Sequence, residues 1–138
     1  SRIQDLAVDY AGERTQFGRP LGKFQVIQSY LAEIAAEVAA ASAMFESAIG
    51  AMRDEADESP SAVAATKVRA GLMARRVTSL AHQIHGAMGF TREYPLHLWT
   101  RRLWAWRDEY GSEATWAEAL GREMIAIGGD GFWNLIAR

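Results

Sequence analysis

Phe24, Ile27, Leu31, Ile34, Val38, Ala41, Phe45, Ile49 and Met52 follow one another at steps of three or four residues. That spacing returns each side chain to one face of a helix and does not match the alternation of a strand. It predicts one long helix starting near Lys23, with a single apolar stripe. Asp54, Glu55, Asp57 and Glu58 come next. Their charges oppose the negative end of one helix and favour the start of another, so a break is expected there. Ser59 can cap the following helix through its hydroxyl, and Pro60 suits the first helical position, where its missing N–H costs nothing. Val63, Ala70, Met73, Val77, Leu80 and Ile84 then carry a second stripe toward Gly86 and Gly89, which can end it. Two long helices joined by a short polar link should pair antiparallel as the spine of the fold.

Shorter helical patterns flank this spine. Ile3, Leu6, Ala7 and Tyr10 have helical spacing, as do the segments from Leu96 to Trp106 and from Ser112 to Ile127. No strand is convincing. Gly128, Gly129, Asp130 and Gly131 break the chain before a last apolar segment, Phe132, Trp133, Leu135 and Ile136. With 138 residues, the chain is sized for one domain that buries roughly two-thirds of its unfolded surface. The expected fold is all-α: an antiparallel up-and-down four-helix bundle over residues 1–138, with an additional short C-terminal helix. The first helix begins at Ser1 without a visible cap, which reads as a helix cut from a longer chain.

Charge removes some functions. A net charge of -2 with 23% charged residues gives no basic excess for a nucleic-acid backbone. There is no cysteine, hence neither a disulfide framework nor a thiolate metal site, which fits a cytoplasmic protein. No apolar run approaches about 18 residues, so no membrane span is expected.

Several motifs dissolve on inspection. "GRPLGKF" (18–24) lacks the glycine spacing, the preceding strand and the metal-binding hydroxyl of a phosphate loop. His82 and His85 lie three apart on a helix without the Glu-x-x-His pairs of a di-iron bundle, so packing or surface roles are expected and no metal. Trp99, Trp104 and Trp106 beside Arg101, Arg102 and Arg107 could stack a planar ring, but aromatics at helical spacing are usually core with arginine stems along them. The connector "ERTQFGRPLGKFQ" (13–25) is different. A plain helix stop needs only Phe17 and Gly18, whereas Arg14, Gln16 and Phe17 together leave room for an anion and a flat ring.

"ERTQFGRPLGKFQVIQ", followed after about sixty residues by "AHQIHGAMGFTREYPLHLWTRR", resembles the C-terminal helical domain of the flavin-dependent acyl-CoA dehydrogenases over essentially the whole chain. The resemblance implies an FAD cofactor, an acyl-CoA substrate, and a subunit about two-thirds of which lies outside this sequence. It places Arg14 on the flavin pyrophosphate of a neighbouring subunit, with Gln16 in the same turn and Phe17 near the adenine end. It assigns Gln83, Gly86 and Ala87 to the adenosine part, Ala87 standing where the family usually has a second glycine, and it adds Ser112 to the cofactor set. The family's base is a Glu in a Tyr-Glu-Gly-Thr stretch; here the stretch is Glu109-Tyr110-Gly111-Ser112, so Tyr110 occupies that position and Glu109 is displaced by one. A phenol with an ordinary pKa near 10 is a poor base at neutral pH. Three sources of the base stay open: Glu109 through a shifted turn, a Glu upstream of Ser1, or a partner subunit. Homo- or hetero-oligomers are implied, and exposed surface near the tryptophans and Phe132-Trp133 should favour association. The competing class is a helical scaffold domain in which the family turns persist without chemistry.

Overall fold

The computed structural model describes residues 1–55 and 59–136, with the backbone alone at Ser59 and from 132 onward. The order is α1 (Arg2–Glu13), a hairpin of β1 (Thr15–Gln16) and β2 (Arg19–Pro20), α2 (Gln25–Arg53), α3 (Ser59–His85), α4 (Leu96–Asp108) and α5 (Glu113–Ile136), with short 3-10 turns at Leu21–Lys23 and Gly86–Phe90. The fold is all-helical as expected, and no sheet lies between residues 24 and 85 among those described. The hairpin is the departure. Its strands are too short for alternation to be visible in sequence, and they pair Thr15 with Pro20 and Gln16 with Arg19. Asp57 and Glu58, and the side chain of Ser59, lie outside the described residues, as do the side chains of Phe132 and Trp133.

The chain forms two units, residues 1–39 with 73–106, and residues 40–72 with 107–138. α2 leaves the first unit and α3 re-enters it, so within that unit the helices run antiparallel, tied by a two-pronged Arg76–Glu33 pair whose second contact is 2.8 Å. Its core joins Ile3, Leu6, Ala7 and Ala11 of α1, Ile27 and Ile34 of α2, Val77, Leu80, Ala81 and Ile84 of α3, and Leu96 of α4. Ile3, Leu6, Ala7, Ile27, Ile34, Val77, Leu80 and Ile84 stand on the expected stripes, and Ala11 and Ala81 join them as small residues beside those stripes. By length and composition α2 could also cross a membrane, with a mean hydropathy of 1.3 in its most apolar stretch; the core helix of a bundle meets the same test.

The second unit corrects the stripe. Among its described residues the buried apolar side chains are Ala48 and Ala64, whereas Phe45 (57% exposed), Ile49 and Met52 (60% exposed) face outward. At 3.6 residues per turn, Phe45, Ile49 and Met52 are each one residue, about 100 degrees, from the inward positions Met44, Ala48 and Ala51. Ala48 and Ala51 leave room on this side, and α3 comes close: Thr66 Oγ1 donates to the Met44 carbonyl at 3.0 Å. Buried Ser61 donates to Glu123 of α5. α5 is interrupted at Gly128, whose φ of 72° and ψ of 176° lie outside the helix, and helical turns resume toward Ile136 as the glycine run implies.

α4 supplies another correction. Leu96, Thr100 and Leu103, at i, i+4 and i+7, form its inward face, which leaves Trp99, Trp104 and Trp106 partly exposed rather than in the core. Arg102 lies over the rings of both Trp99 and Trp106, at 6.0 and 5.6 Å.

Candidate functional site

In the first unit, α1 ends at Arg14, whose backbone turns extended (φ -71°, ψ 117°) while its N–H still donates to the Tyr10 carbonyl. The Arg14 carbonyl then accepts from the Leu21 N–H at 2.8 Å, which closes the hairpin at its base. Phe17 and Gly18 form its tip with φ of 51° and 79°. Two consecutive positive φ values give the turn whose twist suits a two-residue hairpin, but the first of them strains a phenylalanine. Phe17 is held there 91% exposed, its ring edge-on to Phe24 at 6.2 Å. A strained and solvated aromatic at a loop tip is suited to contacting something beyond its own core.

α3 ends at His85, and Gly86 turns the chain with a φ of 57°. Arg14, Gln16, Gln83, Gly86 and Ala87 all line one open cleft of about 290 Å³, together with Tyr10, Leu21 and His85. Residues from the two sequence motifs therefore converge; Phe17 is not part of the lining. The Arg14 guanidinium is exposed and makes no ion pair among the described residues. Ala87 keeps a negative φ, so its methyl group sits at the rim without backbone strain.

The cleft's floor is aromatic. Buried His85 stacks on Tyr10 at 4.3 Å and leans on Tyr94 at 4.8 Å, while its Nδ1–H donates to the Ala81 carbonyl at 2.7 Å. Tyr94 donates to the Leu6 carbonyl at 3.2 Å. This cluster pins α1 to the end of α3 and so sets where Arg14 stands. Sequence reading passed over it because Tyr10 lies 75 residues from His85 and Tyr94 follows the Gly86–Phe90 turn, so no shared spacing links the three. His82 packs on Phe90 at 4.3 Å and meets Thr100 Oγ1 at 2.9 Å, so both histidines take packing positions. Burial pushes both imidazoles below their ordinary pKa; at His85 the Ala81 and Leu6 carbonyls oppose the shift, and at His82 the charges of His85 and His97 add to it.

A lowered histidine pKa means that the unfolded chain binds protons more tightly. The contribution is complete above the unfolded value of roughly 6.5 and is lost as pH falls below it, at up to about tenfold in the folding constant per pH unit for each histidine. His85→Phe keeps the stacking surface and removes one such proton site. Urea midpoints measured at neutral and mildly acidic pH are expected to fall less in this variant than in the parent; equal falls would show that His85 carries no acid sensitivity.

In the second unit, Glu109 and Tyr110 follow the end of α4 with exposed side chains, Tyr110 at 92%. Ser112 caps α5: its carbonyl accepts from the Trp116 N–H at 3.2 Å and its Oγ accepts from the Thr115 N–H at 3.4 Å. Lys67 and Gly71, which sequence reading missed, lie on the α3 face that meets this turn. Lysine and glycine four residues apart on a helix carry no distinctive signal.

The first unit presents an open cleft and the second an exposed acid-bearing turn. The family model described as acyl-CoA dehydrogenase, C-terminal domain, matches residues 1–125. The chain belongs to the acyl-CoA dehydrogenase family. It is 44% identical over 92 residues to the acryloyl-CoA reductase (NADH) of Anaerotignum propionicum, covering 67% of this chain and 23% of that protein. It is 43% identical over 99 residues to the 3-sulfinopropanoyl-CoA desulfinase of Paraburkholderia xenovorans (strain LB400), covering 70% and 24%. The solved butyryl-CoA dehydrogenase of Megasphaera elsdenii superposes with a TM-score of 0.83 at 29% identity, covering 89% of this chain and 32% of that one. The chain thus spans about a quarter to a third of the relatives it matches.

Proposed function

We propose that this chain is the domain that completes the flavin site and the oligomer of an FAD-dependent acyl-CoA dehydrogenase, an enzyme that introduces a double bond between the α and β carbons of an acyl-CoA thioester. The observation that carries this reading is the cleft that joins Arg14 and Gln16 to Gln83, Gly86 and Ala87. The residues fit a dinucleotide. A Cβ built on Gly86 would meet nothing within 4 Å, so backbone is open to a ligand there. A cleft of about 290 Å³ suits part of an FAD rather than all of it, which agrees with a cofactor shared between domains or subunits.

Arg14 would pair with the pyrophosphate through its planar fork of donors. The Gln83 amide and the Gly86 backbone would hold the adenosine portion, with Ala87 at the rim and Phe17 offering a ring from the hairpin tip. The bound flavin would supply the oxidising centre. Ser112 would reach it with a hydroxyl only by giving up its contacts to Thr115. Glu109 is the residue of this chain proposed to take the α-proton. The outward Phe45, Ile49 and Met52 support the oligomer part of the reading, since apolar faces of this kind favour association.

Arg14→Ala in the full-length protein, or in its complex with a partner subunit, tests the cofactor assignment. Loss of a charge-assisted contact is worth about 1.5–3 kcal/mol, or about 10- to 160-fold in affinity. FAD retained through gel filtration should fall accordingly, and unchanged occupancy would remove this role for the turn.

A further inference from the structure

Resting on that reading, the geometry points to Lys67 as a positioning residue that fixes the turn bearing Glu109 and Tyr110. Lys67 Nζ donates to the Arg107 carbonyl at 3.1 Å and to the Glu109 carbonyl at 2.6 Å. The Arg107 carbonyl lies in the last turn of α4 and the Glu109 carbonyl just beyond it, where the helix offers no partner and its dipole favours a cation. Between and beyond them, the Asp108 carbonyl accepts from the Gly111 N–H at 3.3 Å and the Tyr110 carbonyl accepts from Trp116 Nε1 at 2.9 Å. Successive carbonyls from 107 to 110 are each taken by a named donor.

The side chains close the same turn. Arg107 Nε donates to Glu113 at 2.8 Å and a second guanidinium nitrogen pairs with the other carboxylate oxygen; both side chains are largely buried. Gly71, one turn along α3 from Lys67, makes room for this pair: a Cβ there would stand 2.7 Å from Glu113 Cβ and 2.8 Å from its Oε2. The turn is thereby held in a conformation the backbone alone disfavours, with Tyr110 at a φ of 59°. A tyrosine in the left-handed region persists only when its surroundings over-determine it. Lys67 is the contact that binds this turn to α3 through two carbonyls, so it sets the direction in which Glu109 and Tyr110 leave the backbone.

The test uses the full-length flavoprotein, or its complex, carrying Lys67→Met, which keeps the stem and removes the ammonium. Lys67→Arg, which keeps a donor, and Gly71→Ala, which displaces Glu113, accompany it. Amide hydrogen exchange over residues 107–117 reads the turn without reference to activity. Anaerobic flavin bleaching at saturating acyl-CoA reads the chemistry, after FAD occupancy and acyl-CoA affinity have been measured. Lys67→Met is expected to speed exchange in this segment at least tenfold and slow bleaching at least tenfold, with FAD occupancy and acyl-CoA affinity within twofold of the parent. Lys67→Arg should recover most of both, and Gly71→Ala should reproduce the loss from the other anchor. Unchanged exchange in Lys67→Met overturns the proposal, and so does faster exchange with an unchanged bleaching rate. A parent protein that binds FAD but is bleached by no acyl-CoA ester overturns the functional reading instead, and exchange in Lys67→Met then still decides whether Lys67 fixes the turn.

Discussion

Glu109→Gln in the complete flavoprotein is expected to leave bound FAD and acyl-CoA affinity intact while flavin bleaching slows by about 10²- to 10⁴-fold, the range supplied by a positioned general base. An amide keeps the size and hydrogen-bonding reach of the carboxylate but cannot take the α-proton. The exposed Glu109 side chain and the grip of Lys67 on its carbonyl support the assignment, because a base must be both accessible and held. The measurement is anaerobic stopped-flow bleaching by a panel of acyl-CoA esters, with FAD quantified before substrate is added. Normal bleaching would eliminate Glu109 and leave a Glu upstream of Ser1 or a partner subunit as the source. Tyr110→Phe is the control: loss of bleaching there, with Glu109→Gln unaffected, would assign the proton to the phenol.

The largest stability effect is expected at Ile34. It is fully buried in the first unit's core, where α2 meets α1, α3 and α4. Truncation to alanine removes transfer free energy and leaves a cavity, for about 2–5 kcal/mol. Urea denaturation with a constant slope should show this as a lower midpoint. Ile49→Ala on the same helix should cost far less in a monomer, because that side chain is already partly in water. Equal losses at the two positions would mean that the outward face of the second unit is covered in solution.

Parts of the cleft were legible in the chain because they are local. The residue types of Arg14 to Phe17 leave room for an anion and a flat ring, and Gly86 marks a helix end, whereas the grouping of Gln83, Gly86 and Ala87 with them was implied by the family resemblance alone. Other parts were not legible. The Tyr10–His85–Tyr94 cluster and the Lys67 contacts join residues far apart in sequence, and nothing in their spacing marks them as partners.

Where the two long helices run and stop is written locally in the chain. Periodicity, the acidic break, Pro60 and Gly86 act through backbone geometry within a turn or two, so no distant residue is needed to read them. Packing settles which face of α2 is inward beyond Ala41, since Phe45 or Ala48 would satisfy the spacing equally and the close approach of α3 admits the alanine. It also decides that the cleft gathers residues from both motifs and that backbone carbonyls at 107 and 109 are held by an ammonium from α3. Carbonyls are common to every residue type and leave no trace in the sequence; which cation reaches them follows from packing alone.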